Sequence, residues 1–263
     1  MNIMALFRIN LGLCLGVALS ACGSWAGNPI GDGSDPKKGN AVVELDFGTS
    51  DLFLASTIDV TGKDGSIIGA MELTEAKVAL AEIELMGANH DEDESGEEKF
   101  AGPFIVDLLD GSSNPAPESI TVSAKKIGDL KMKIHKLEDE DADLYPDMKK
   151  LSILIKGHFV SASGGAARNV EFSHEVGEEL SLKTEGEHVP DFTLVEGANV
   201  VSVNLDLASF FKFNVEKTTR DVDFTSLSGD IDMTEASTGV AKKLRETVKG
   251  NFKRSVKSKH RKK

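Results

Sequence analysis

Disulfides cannot hold this chain together. Its 263 residues include two cysteines, Cys14 and Cys22, both ahead of the body. A folded domain must therefore rest on core burial, for which a body of about 200 residues is large enough. A membrane-spanning helix is not indicated either. The apolar run at residues 11–19 is far shorter than the roughly 20 residues needed to cross about 30 Å of hydrocarbon. Aromatic residues with a polar tip are scarce, with one Trp, Trp25, and one Tyr, Tyr145. Sugar-binding platforms lean on such side chains, so a carbohydrate-binding module is disfavoured. The thirteen Phe residues lie mostly at apolar strand positions and read as core.

Recognisable chemistry is missing as well. The sequence has no Gly-x-Ser-x-Gly elbow and no Walker loop; Gly62-Lys63-Asp64-Gly65-Ser66 has neither the length nor the following helix. His174-Glu175-Val176-Gly177-Glu178 starts like a zincin helix, but Glu178 stands where the second histidine belongs. His135, His158, His188 and His260 show no ligand spacing. Two acidic stretches, residues 90–98 (HDEDESGEE) and 137–147 (LEDEDADLYPD), lack the alternating ligands of a calcium loop and read as solvated loops between strands. No catalytic residue, cofactor or metal site is expected. Asp107 and Asp206, polar residues inside strand candidates, are where a pocket carboxylate would first be sought.

The N-terminus carries a clearer message. A short segment whose only charge is Arg8 precedes the apolar run, the layout of a secretory signal peptide. Leu19-Ser20-Ala21-Cys22 resembles the bacterial lipobox, in which a peptidase cuts before the cysteine and its thiol and amine are acylated. The resemblance implies a signal peptide over residues 1–21 and lipid on Cys22. Residues 22–40, rich in Gly, Pro, Asp and Ser, then form a flexible tether. Two or more acyl chains anchor firmly where one binds only marginally. Ser24, which is not aspartate, points to the outer membrane by the sorting rule of some diderm lipoproteins.

From residue 41 the dominant pattern is period two. Val43, Leu45 and Phe47 alternate with Glu44 and Asp46; Leu130, Met132 and Ile134 with Lys131, Lys133 and His135; further alternation runs through 151–155 and 201–207. Turn residues such as those at 110–115 and 163–165 punctuate these runs. The pattern predicts a mainly β fold over residues 41–233, an antiparallel β-sandwich of immunoglobulin-like or transthyretin-like type. Residues 76–86 (AKVALAEIELM) contain good helix formers, yet Val78/Leu80 and Ile83/Leu85 are two alternating pairs out of phase. A strand with a β-bulge between Leu80 and Ile83 reconciles them.

The order of LTEAKV at 73–78, AEIEL at 81–85, FAGPFIVDLL at 100–109, residues 128–137 and Asn204-Leu205-Asp206-Leu207 resembles DUF4382, a domain of unknown function in bacterial lipoproteins. The likeness covers about residues 41–215. It implies fold and envelope address alone, because the family brings no established catalytic residues.

Charge separates at the C-terminus. Residues 242–263 hold eleven Lys/Arg against Glu246, a net +10 that leaves −23 on the remainder of a chain totalling −13. Val240, Leu244, Val248, Phe252 and Val256 recur every four residues, predicting an amphipathic helix within residues 234–263, capped by Thr238. In one reading the stripe docks on the sandwich and a solvated basic end follows from Ser255. In a second, Lys242, Lys243, Arg245, Lys249, Lys253 and Arg254 contact anionic lipid or another acidic envelope polymer. Nucleic acid is not expected as a partner, given export and the lack of interleaved aromatics. The sequence thus describes a lipid-anchored, non-enzymatic envelope lipoprotein. The alternative is a binding protein with a small-ligand pocket between sandwich and helix.

Overall fold

The computed structural model describes residues 40–47, 56–87, 98–123, 126–138, 145–175, 192–205, 207–214 and 221–262. The signal segment, the lipobox and the tether lie outside them, as do Asp206 and most of both acidic stretches. Among the described residues the strands are β1 (Asn40–Asp46), β2 (Thr57–Thr61), β3 (Ile67–Gly87), β4 (Glu98–Asp107), β5 (Ser113–Asn114), β6 (Ile120–Ser123) and β7 (Lys126–Ile134). They continue with β8 (Ile153–Ser161), β9 (Arg168–His174), β10 (Phe192–Thr193), β11 (Gly197–Leu205), β12 (Ile231–Met233) and β13 (Val256–Lys262). Helix α1 (Leu207–Phe210) follows β11, and α2 (Gly239–Ser255) lies between β12 and β13.

The fold is mainly β, with two sheets and a C-terminal helix. The smaller sheet has the order β13-β11-β1-β6, and the larger is built around β3. Ala41, Val43, Val122, Val201 and Val203 from the smaller sheet share one core with the inward residues of the larger. Most pairings are antiparallel, as alternation suggested. Two are parallel, β1 with β11 and β9 with β12. Parallel neighbours need long crossovers, and local period two carries no sign of them.

Strand β3 runs for 21 residues, beyond the usual 3–10, and besides shifts near its two ends it breaks register twice along its middle. Against β8 the break falls between Leu73 and Glu75. Against both β4 and β7 it falls between Leu80 and Glu82, so Ala81 is the bulged residue that the sequence placed between Leu80 and Ile83. Each break reverses which parity faces the core. Met71 and Leu73 point inward, then Ala76, Val78 and Leu80, then Ile83 and Leu85, all at most 3% exposed. This is why no single alternation fits the segment. Opposite the first break β8 carries Gly157, where a Cβ would stand 2.3 Å from the carbonyl oxygen of Glu72, so a side chain there would push the strands apart.

The phenylalanines whose side chains are described are buried, as expected. Phe224 meets Phe159, Phe211 and Phe213 with ring centroids 5.1 to 5.9 Å apart, and Phe210 meets Phe252 of α2 edge to face at 5.1 Å. A smaller apolar cluster forms on the outer face of the larger sheet, where residues around 137–151 bring Leu137 and Met148 onto Ala79, Ile105 and Leu154. The second acidic stretch is thereby tied down at both ends, with Leu137 bridged to Lys149 and Asp147 paired with Lys77 at 3.6 Å.

At the C-terminus the structure departs from the sequence reading. Leu244, Val248 and Phe252 are fully buried, so the stripe docks on the core. The helix ends at Ser255, and Val256, counted as its last apolar position, opens β13 instead. The segment after Ser255 does not trail free of the sheet: β13 pairs antiparallel with β11 from Leu205/Val256 to Asn199/Lys262. Its alternation of Val256, Ser258 and His260 with Lys257, Lys259 and Arg261 is a strand pattern masked by the longer helical one. Lys38–Lys263 forms one compact unit, so α2 and β13 belong to the body rather than following it.

Candidate functional site

The six basic residues assigned to an anionic surface do not share one fate. Lys242 and Lys243 are exposed and Lys249 is half-buried on α2, while the side chains of Lys253 and Arg254 lie outside the described structure. Arg245 is a correction. It is 7% exposed and faces inward, where its guanidinium meets Glu235 at 2.5 Å, Glu246 at 3.2 Å and the carbonyl of Thr234 at 3.1 Å. It is burial, together with these three acceptors, that keeps the guanidinium from a bilayer surface. The helical stripe hid this, because the buried face of α2 is wider than one row and carries Arg245, Thr247 and Asn251 beside the apolar residues. Asn251 donates to the carbonyls of Phe210 (3.0 Å) and Lys212 (2.7 Å), fastening α2 to the segment after α1.

Arg245 belongs to a polar chain that sequence reading missed. His174 ends β9, 5% exposed, with Nδ1 2.8 Å from Oε1 of Glu235 in the turn between β12 and α2. Glu235 also accepts from the backbone N–H of Glu175 at 3.4 Å. An ionised carboxylate only accepts, so His174 donates from Nδ1 and its Nε2 is left as the acceptor atom. That Nε2 is buried without a partner among the described residues. Burial pushes the imidazole below its usual pKa, against the pull of Glu235. Glu235 is itself held low: burial would raise it, and its hydrogen bonds to His174 and Glu175 and the charge of Arg245 outweigh that. His174 thus sits on a strand rather than a zincin helix. Among the described residues no three His, Cys, Asp or Glu side chains gather as a metal site would require.

A second polar group lies on the outer face of the larger sheet. Glu84, 2% exposed, is ringed by Lys133 (2.6 Å), Lys99 (3.3 Å) and Lys131 (3.9 Å). Glu82 shares Lys133 at 2.6 Å, and these two hydrogen-bonded carboxylates raise the Lys133 ammonium well above its usual pKa. The alternation of Lys131 and Lys133 with Leu130 and Met132 was legible; their cross-strand partners were not.

Asp107 closes β4, where its carboxylate accepts from the N–H of Leu109 at 2.9 Å. Burial raises its pKa, but it caps a turn and lines no described pocket. A hollow of about 180 Å³ opens beside the Ala81 bulge, floored by Leu80, Ala81 and Gly102, with His135, Lys136 and Glu138 at its edge. It lies away from α2, on the side of the sheet that carries the second acidic stretch, and not between sandwich and helix. Among the described residues no helix is long and apolar enough to cross a membrane. Compared with known proteins, the chain matches no family model, no curated protein and no solved structure.

Proposed function

We propose that this chain is a lipid-anchored lipoprotein of the bacterial cell envelope, at the outer membrane, whose β body serves as a non-enzymatic interaction or structural module. One observation carries the reading: a nine-residue apolar run ends in Leu19-Ser20-Ala21-Cys22, and a Gly/Pro/Asp/Ser stretch follows it up to Asn40, where β1 begins. A signal peptide, an acylation site, a spacer and a folded body stand in the order an exported, anchored domain needs. Strand β1 lies between β11 and β6, so the tether would feed straight into the interior of the smaller sheet. The basic surface left to α2, Lys242 and Lys243 with Lys249 beside them, supports at most a secondary contact with anionic lipid or envelope polymer.

Replacing Cys22 with Ser tests the anchor. The variant is expected to leave the membrane pellet for the soluble fraction on cell disruption, while its body keeps the same β-type circular dichroism. A variant that still sediments with membranes after a high-salt wash would overturn the reading.

A further inference from the structure

The polar chain under α2 joins three parts of the molecule. His174 stands at the end of β9, Glu235 in the turn after β12, and Arg245 one turn and a half into α2, and the links between them measure 2.8 and 2.5 Å. The carbonyl of His174 is held from the other side by the N–H and the hydroxyl of Ser152, at 2.9 and 2.8 Å. The imidazole is therefore fixed at its backbone while its ring faces the helix. Charged groups face it from each element packed there: Glu175 follows it on its own strand, Glu235 lies in the turn, and Arg245 and Lys249 come from α2, with Glu246 pairing Arg245. The two charges of α2 that bear on the ring, Arg245 and Lys249, are thus both positive.

We propose that His174 is the proton sensor of a clasp that holds the C-terminal arm, α2 with β13 behind it, against the edge of the larger sheet, and that mild acid loosens the clasp. The geometry gives the direction. In the neutral ring Nδ1–H satisfies Glu235 and Nε2 carries a lone pair. A second proton must go to Nε2, creating a buried N–H with no acceptor among the described residues and a cation beside Arg245 and Lys249. Glu235 gains a stronger bond from the imidazolium but is already shared with Arg245. The ring escapes the conflict when α2 swings away and water reaches Nε2. Opening then takes up one proton, so the open population rises by at most about tenfold per pH unit below the usual histidine pKa. A carboxylate at position 235 would be discharged only at much lower pH, which keeps the two effects apart.

Amide hydrogen exchange on the full chain, expressed as protection factors, tests this. Between pH 7.5 and 5.5 the amides of α2 are expected to lose several-fold protection while those in the centre of β3 keep theirs. In His174→Asn the side-chain amide still donates to Glu235 but cannot take up a proton, and α2 protection is expected to be independent of pH over that range. An equal loss in this variant, or no loss in the unaltered protein, would overturn the clasp. Should His174→Asn fail to fold, proton NMR titration of the His174 ring in the unaltered protein decides. A midpoint below 6.5 upholds the proposal, and one at or above 6.5 refutes it.

Discussion

Phe224 shows how one side chain can organise a core. Three other rings touch it, and Arg168 reinforces the arrangement, donating to the carbonyls of Phe224 and Leu227 at 2.9 and 2.7 Å while its guanidinium lies 5.1 Å above the Phe159 ring. Phe224→Ala is expected to lower the unfolding free energy by about 3–5 kcal/mol, read from urea melts with unchanged slope. Glu84 makes the opposite kind of case, a nearly buried charge tolerated because lysines surround it. Glu84→Gln would leave Glu82 as the shared carboxylate of Lys99 and Lys133 and remove the one facing Lys131, and a lower urea midpoint is expected, partly restored by added salt. A midpoint that does not move, with or without salt, would show that the lysines reach solvent independently.

At the scale of elements, β3 is the strand on which the larger sheet depends. Because a one-residue slip sends every side chain to the other face, inserting one residue between Ala76 and Lys77 would turn Val78 and Leu80 outward and bring Lys77 and Ala79 in. Loss of cooperative thermal unfolding is expected. Much of this was legible in the sequence: two alternating pairs out of phase located the bulge between Leu80 and Ile83, and the run of phenylalanines located the core. The break at Leu73/Glu75 was not legible, because Thr74 and Glu75 look like an ordinary polar pair. Nor was β13, whose residues complete a four-residue apolar repeat that a helix would use equally well. What decided for strand was the free edge of β11, a tertiary fact. The His174–Glu235–Arg245 chain was hidden for the same reason, since 61 and 10 residues separate its members. Truncation after Ser255 distinguishes a strand from a solvated tail: it is expected to lower the melting temperature and to speed exchange in β11, whereas loss of a tail would change neither.

For the whole molecule, acid acts in separable steps. The contribution of His174, lowered from 6.5, is complete above that pH and is lost as pH falls from 6.5 toward its folded value. Glu75 and Glu235 are lowered from 4.5, so their contributions persist to about that pH and fade below it. Asp107 is raised by burial and works in the opposite sense, gaining stability on protonation. A two-step decline is expected in urea midpoints measured from pH 7.5 to 3.5, and His174→Asn should remove the upper step alone. A single step below pH 4.5 in the unaltered protein would place all the acid sensitivity on carboxylates.

The body has a shared core and no cysteine, so the proposed membrane anchor rests on the segment ahead of β1. The intact mass of the protein extracted from cell membranes addresses that dependence directly. The account predicts a chain starting at Cys22 and heavier than its residues by the mass of two or three acyl groups with their glycerol. An unmodified chain still starting at Met1 would contradict it.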